Sequence, residues 1–325
     1  MHKDYPYTSI FAGLIKDYIA SHREAGFMYD TPAYWLFRFD QYCCNNVVKE
    51  AVVSKQLFEA WAAKFDAETK TSQSNRLQVL KGFCVYLNTM GIPAYIPSIL
   101  PRPEKVVPYL MKDEDIREFF EQVDLYATDH VPIFQRMAYE YKVLFRLIYC
   151  CGLRNNEACS LKTENIDTAN GILTLYHSKG RKDRIVYLSE DLRRLCLGYR
   201  QWLNTQLDVP SEWFFPGKDP EQHIPKTSLD RKFNEFWNRT RSSKTCDKKP
   251  TVHCLRHAFV IKRINSWMEA DIPLNVMMPY LSSHLGHMGP METYYYFHQV
   301  EDAFQTVRRK DCVSSRVIPE VQYEN

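Results

Sequence analysis

His253 and Arg256 stand three residues apart in the run HCLRHAF, so on a helix both side chains leave one face. His287 follows in LSSHLGHMGPMETYYYF, where Gly289 and Pro290 break the chain before a new helix, proline being suited to a first helical turn. That helix carries Tyr294, Tyr295 and Tyr296 in succession. A cation, two imidazoles and a phenol brought to one place can hold an anion and let a tyrosine oxygen attack it. A phenol ionises with a pKa of about 10, so it needs neighbouring positive charge to react at neutral pH. Tyr294 and Tyr296 lie roughly 200° apart around a helix, so one site cannot take both; Tyr295 is expected to be buried. His253 and His257 have metal-ligand spacing, but the run lacks the glutamate of H-E-x-x-H, and Arg256 would repel a cation from that face. No metal and no cofactor are expected. His257 is expected to be structural and hydrogen-bonded behind the site, and His284 to stand outside the chemistry.

An anion site needs more cations, and two lie about a hundred residues upstream. Arg154 sits in CGLRNNEACSL with Glu157 three residues on, and Lys179 sits in the turn SKGRKDR with Lys182 as a second candidate. Singly, each has an ordinary reading: a surface ion pair one helical turn apart, a solvated hairpin lysine. Their order and joint spacing with the downstream run are what single them out. A basic stripe adds to this. Between Lys226 and Arg263 there are eleven Lys or Arg against three Asp or Glu, a local surplus of eight, although the whole chain carries only +3. Such a stripe is the footprint expected for binding phosphates; its candidates are Lys226, Arg231, Arg239 and Arg241.

The elements that must position these residues are mostly helical. Hydrophobic content of 45% and charged content of 25% are those of a globular chain, and 325 residues suffice for two domains. Apolar residues recur at helical spacing in four segments, about 9–25, from 31 through Tyr42, 54–65 and 72–90, which predicts a compact four-helix domain whose aromatics form its core. Pro93, Pro97, Pro101, Pro103 and Pro108 then mark a linker over 93–108. Beyond it, helices are expected over 113–124 and 132–150, and a short one from Asn155. Two short strands, 171–177 and 183–188, flank the lysine turn. Helices resume over 190–206 and 228–241, with a last short one near 302–309. The ten cysteines form no framework and no C-x-x-C, there is no apolar signal core, and no stretch approaches a membrane span. A reducing, cytoplasmic setting with free thiols and no membrane partner is expected.

The set GLR-x-x-E, SKGRKDR, H-x-L-R-H, L-G-H and a tyrosine nine positions later resembles the tyrosine recombinase, or phage integrase, family. The likeness runs from about residue 112 to 300, and its five elements come in the family's order. The resemblance implies a mainly α fold with a small antiparallel sheet. A helical, SAM-like core-binding domain (1–92) would precede the linker (93–108), an α+β catalytic domain (109–312) and a polar tail (313–325). It implies that Arg154 and Arg256 hold the scissile phosphate, that His253 contacts it and assists proton transfer, and that His287 donates to a phosphate oxygen. Lys179 would protonate the leaving 5′-oxygen, and Tyr296 would be the nucleophile, selected by its spacing from His287. Glu157 would support Arg154 or His253. Gly289-Pro290-Met291 departs from the commoner Ser/Thr-rich connection before the nucleophile helix without removing a catalytic group.

The resemblance further implies a site-specific recombinase that cuts and rejoins double-stranded DNA through a 3′-phosphotyrosyl intermediate, in integration, excision or resolution of a mobile element. The enzyme would be monomeric alone and tetrameric on DNA, its two domains clamping the duplex and its C-terminal segment docking on a neighbour. No separate arm-site-binding module is expected ahead of the first helix. Two alternatives stay open: relaxation of DNA in the manner of a type IB topoisomerase, and a DNA-binding regulator with an inactive site.

Overall fold

The computed structural model describes residues 4–104, 107–126, 131–176, 183–287, 289 and 291–297. They fall into two units, Met1–Val107 and Pro108–Asn325. In the first, helices α1 (Ala12–Glu24), α2 (Asp30–Asn45), α3 (Lys55–Ala62) and α4 (Lys70–Thr89) each offer one apolar face. Those faces meet in a core that includes Phe11, Phe39, Trp61 and Phe83, each contributing about 1.5–3 kcal/mol by leaving water. Ser54 and Thr69 cap α3 and α4 by accepting from Leu57 and Ser72 N–H groups. Most of the aromatics belong to this core or pack against it, as expected from their spacing, whereas Phe27 and Tyr34 are exposed. A buried Arg76 is satisfied by Glu68 and by the carbonyls of Trp61 and Ala63, with its guanidinium 4.1 Å from the Phe65 ring centre. The proline-rich stretch is not a free tether throughout. Ile92, Ala94, Tyr95 and Leu100 pack on this core, Tyr95 N–H donates to the Val53 carbonyl at 2.8 Å, and Lys81 reaches the Pro97 carbonyl.

The second unit is helical around one small sheet. Helix α5 (Asp113–Asp124) begins with an acidic turn, and α6 (Pro132–Cys151) begins on its proline and ends at Gly152. A short α7 (Asn155–Cys159) follows, then strands β1 (Ile166–Asp167), β2 (Ile172–Leu175) and β3 (Arg184–Tyr187) in an antiparallel sheet of order β1-β2-β3. Leu173 pairs with Val186 and Leu175 with Arg184 on its inner face. The two-residue β1 was not apparent from periodicity. Helices α8 (Glu190–Gln206), α9 (Lys226–Trp237), α10 (His253–Glu269), α11 (Leu274–Leu285) and α12 (Met291–Phe297) complete the unit. The core runs from α5 through α6, the sheet, α8 and α9 to the first turns of α10, with Phe119, Phe145, Phe233 and Trp237 at its centre. A smaller cluster, including Phe259, Ile264, Leu281, Leu285 and Tyr296, joins α10, α11 and α12. The expected helix near 302–309 lies outside the described residues. Among the described residues no helix is long and apolar enough to cross a membrane.

Candidate active site

The site is built on the C-terminus of α11. The last carbonyls of a helix have no partner within it and carry partial negative charge. Here three successive ones each receive an arginine from a distant part of the chain. Arg184 Nε donates to the His284 carbonyl at 2.8 Å, Arg256 Nη2 to Leu285 at 2.8 Å, and Arg154 Nη2 to Gly286 at 2.7 Å. Gly286 closes the helix at φ +63°, and a Cβ there would come within 2.9 Å of Arg184 Nη1, so the turn passes tightly between side chains.

Arg154 follows the left-handed turn at Gly152 and precedes α7. Its N–H donates to Glu157 Oε2 at 2.9 Å and its Nη1 to Oε1 at 2.7 Å. Glu157 also takes the fork of Arg184, at 2.9 and 2.6 Å. Burial works to raise the Glu157 carboxyl; the bonds and charge of Arg184, helped by Arg154, outweigh it and bring the group down to about 2. Glu157 thus holds the Arg154 side chain in place. Among the described residues its hydrogen-bond partners do not include His253, which feels it only as a charge.

Arg256 lies in the first turn of α10 and is 1% exposed. It donates to the Gly152 carbonyl at 2.5 Å, to Leu285, and to His287 Nε2 at 3.2 Å. A guanidinium can only donate, so that imidazole nitrogen accepts. The neutral His287 then carries its proton on Nδ1 and donates to Thr293 Oγ1 at 2.7 Å. Burial and the charge of Arg154 lower Arg256 to about 10, opposed by Tyr296 and Glu157; it stays a cation at neutral pH. His253, one turn before, is held neutral at about 4 by burial and by Arg256, Arg154 and Lys226.

Tyr296 is 5% exposed and packs among the α10–α12 residues, its ring centre 5.1 Å from His257 and 6.4 Å from His287, parallel to the latter. Tyr294 packs, half-buried, on the same cluster; the side chain of Tyr295 is not among those described. His257 corrects an expectation. It is structural by ring packing, between His253 (4.7 Å) and Tyr296, but it is not hydrogen-bonded behind the site: its Nδ1 is buried without a partner among the described residues. Burial, with the nearby His253 and Arg256, holds it neutral at about 3. His284 donates to the Cys151 carbonyl at 3.0 Å and stacks on Phe259.

Lys179 and Lys182 lie outside the described residues. A cleft of about 770 Å³ opens over Arg154 and His253 and is lined also by Asn155, Lys162, Tyr176 and Lys226. The basic candidates are spread along α9 and just past its end. Lys226 reaches this cleft, but Arg239 and Arg241 follow the far end of α9, paired with Glu235 and Glu118, and Arg231 stands exposed between. The helix is about 18 Å long at 1.5 Å per residue, which separates the two groups. The residue missed from sequence is Arg184. Strand alternation could have found it, since Val186 and Arg184 share the buried face.

The phage integrase family model matches residues 117–302, over half of the chain. The chain belongs to the phage integrase family. Members cut and rejoin DNA in recombination, and this one is a recombinase of the tyrosine type. A Sinorhizobium fredii protein provisionally named an integrase/recombinase is 24% identical over 294 residues, 89% of this chain and 92% of that one. The tyrosine recombinase XerD of Rhizobium meliloti is 28% identical over 238 residues, 71% of each chain. Among solved structures, the XerH recombinase bound to a palindromic difH substrate aligns with TM-score 0.63 at 19% identity, over 90% of this chain and 83% of that one. The Tn1549 transposon integrase in complex with transposon right-end DNA aligns with TM-score 0.64 at 15% identity, over 94% and 99%. At these identities the structural likeness speaks to fold.

Proposed function

We propose that the chain is a site-specific DNA recombinase in which Tyr296 attacks the scissile phosphodiester. The new phosphorus–oxygen bond links the tyrosine to the 3′-phosphate, and the broken bond releases a 5′-oxygen, which takes a proton from Lys179. Arg154 and Arg256 hold the non-bridging oxygens in guanidinium forks, charged at any working pH. His253, neutral at pH 7, is suited to pass the phenol proton on, and His287 to donate to a phosphate oxygen once that oxygen replaces it as the acceptor for Arg256. The 5′-hydroxyl of a second duplex then attacks the phosphotyrosine and reseals the strand. The covalent bond conserves the energy of the first, so the exchange needs no nucleotide.

The observation that carries this reading is the seating of Arg256 and Arg154 on adjacent carbonyls, Leu285 and Gly286, immediately before His287. Two guanidiniums brought side by side, with only the single carboxylate of Glu157 beside them, have the layout of an oxyanion receptor, and a core-packing role would not require it. Residues 1–92 would bind the duplex together with the catalytic residues 109–312, with Lys226 on the phosphate backbone of the cleft. Phosphate contacts would set register and fewer contacts read bases. A tetramer on two recombination sites, monomeric without DNA, in the cytoplasm and acting on a mobile element, completes the proposal.

A nicked suicide duplex carrying the site, obtained by selection from random DNA, tests it. Wild type is expected to accumulate a covalent adduct resistant to denaturant, and Tyr296→Phe none. An adduct from Tyr296→Phe, or none from wild type, would overturn the assignment; the second outcome leaves the DNA-binding regulator. Relaxation of a one-site supercoiled plasmid without joining two sites would instead mark a topoisomerase. Mass measurement of the DNA complex reads the tetramer.

A further inference from the structure

Arg184 occupies a position where the fold asks for no charge. It opens β3 on the buried face, beside Val186 and across from Leu175, and its side chain is 6% exposed. A buried ion pair is costly to desolvate, and an apolar side chain of similar volume often serves a core as well or better. Yet all three guanidinium nitrogens are used: Nε on the His284 carbonyl, and Nη1 and Nη2 on the two oxygens of Glu157.

The charges explain what this accomplishes. Glu157 touches Arg154 at 2.7 Å. With no other cation there, one carboxylate would cancel one guanidinium, and Arg154 would meet a phosphate with little net attraction. Arg184 supplies a second positive charge and covers both carboxylate oxygens, so Arg154, Glu157 and Arg184 together keep a surplus of one beside the cleft. The same side chain fixes the His284 carbonyl and abuts Gly286, and so sets the turn that delivers His287.

We propose that Arg184 is a positioning residue for strand cleavage: it takes up the charge of Glu157 and thereby leaves the Arg154 guanidinium available to the scissile phosphate. The inference rests on the phosphate-binding reading of Arg154 given above.

Single-turnover cleavage of the suicide duplex tests it, with either an ordinary phosphodiester or an uncharged methylphosphonate at the scissile position. Arg184→Gln is expected to slow phosphodiester cleavage about 10- to 100-fold, somewhat less than loss of a direct transition-state donor. On methylphosphonate, which has less charge to hold, the variant is expected within about 3-fold of the wild-type rate on that substrate. Removing both charges, Glu157→Gln with Arg184→Gln, is expected to return phosphodiester cleavage to within about tenfold of wild type, because Arg154 is then unopposed. Arg154→Ala is run in parallel. If it loses as much on both substrates, the reading of Arg154 itself fails. If Arg154→Ala is selective but Arg184→Gln loses equally on both, or loses nothing, the role of Arg184 is overturned. The double variant decides alone where wild type does not cleave methylphosphonate or Arg184→Gln does not fold: no recovery in it overturns the proposal.

Discussion

Alanine at Gly152 should cost stability and cleavage together. Gly152 ends α6 at φ +62°, a left-handed conformation that costs an L side chain about 1–2 kcal/mol. A Cβ there would lie 2.6 Å from Phe259 Cδ1, 2.9 Å from its Cε1 and 3.2 Å from Leu285 Cδ2. The Phe259 ring is buried and stacked 5.4 Å from His284, so it has no open space to enter, and overpacking of this kind costs about 1–3 kcal/mol. The two effects together come to about 2–5 kcal/mol. In a unit of the size of Pro108–Asn325, each kcal/mol moves the melting temperature by about 2–4 °C, so a loss on the order of 10 °C is expected.

The catalytic consequence has a separate cause. The Gly152 carbonyl accepts from Arg256 Nη1 at 2.5 Å. A displaced turn moves that acceptor, and a misplaced phosphate-binding group can cost up to about a hundredfold in rate. Calorimetry reads the first effect; adduct formation on the suicide duplex, well below the lowered melting point, reads the second. Melting within about 2 °C of wild type would contradict the close approach of α10 to the end of α6. A lowered melting point with an unchanged cleavage rate would instead show that this carbonyl does not position Arg256. Gly289→Ala is the control, since nothing lies within 4 Å of a Cβ at that position.

Gly13→Ala, in α1 with open space around a Cβ, should stabilise the first unit by about 0.5–1 kcal/mol, whereas Gly82→Ala in α4 would put a methyl 2.7 Å from the Tyr18 hydroxyl and should not; two melting curves compare them. Stability should also fall in mild acid. His253 and His257 are lowered to about 4 and 3, chiefly by burial, so unfolded chains take up protons from about pH 6.5 downward while the native state does not. Their contribution is full above that pH and declines as the pH drops toward 4, by up to about 1.4 kcal/mol per pH unit for each histidine. Glu157, held at about 2, adds its own loss only as the pH falls below 4.5. A melting temperature that stays flat from pH 8 to 5 would contradict this burial. Thr293→Val keeps the shape but removes the hydroxyl bonded to His287 Nδ1, and should slow adduct formation about tenfold, with Thr293→Ser retaining the rate; equal rates for the two would refute the role of that bond.

Much of the site was legible because its local spacing survives folding. Arg154 and Glu157 one turn apart and His253 and Arg256 on one helical face appear as read, whereas the helix break expected at Gly289-Pro290 comes earlier, at Gly286. The helix order was legible for the same reason, each segment having its own apolar period. What was hidden depends on contacts between distant segments. Arg184 is 27 residues from Glu157 and 100 from His284, and reads in isolation as one more cation of a basic turn. Summed charge along a chain also does not say where a helix carries each residue, and α9 takes Lys226 and Arg239 to its opposite ends. His257 was expected to be hydrogen-bonded because buried imidazoles usually are; here two aromatic neighbours occupy its surroundings instead.

Gathering three guanidiniums around one turn is unfavourable unless negative charge is already there, and the chain supplies it in two forms. Glu157 contributes a full charge, and the C-terminus of α11 contributes roughly half a charge through its unpaired carbonyls. Three positive charges against these leave a surplus of roughly one and a half. A resting phosphodiester brings one negative charge and would not use all of it. In the proposed reaction, the pentacoordinate phosphorane formed by attack of Tyr296 would carry a second and meet the remaining surplus. A site tuned this way holds the transition state more tightly than the DNA it starts from, which is the condition for the bound arginines to accelerate cleavage and not merely to bind the duplex. The carboxylate and the helix end therefore set how much charge the site has to spare, and the arginines set where it is.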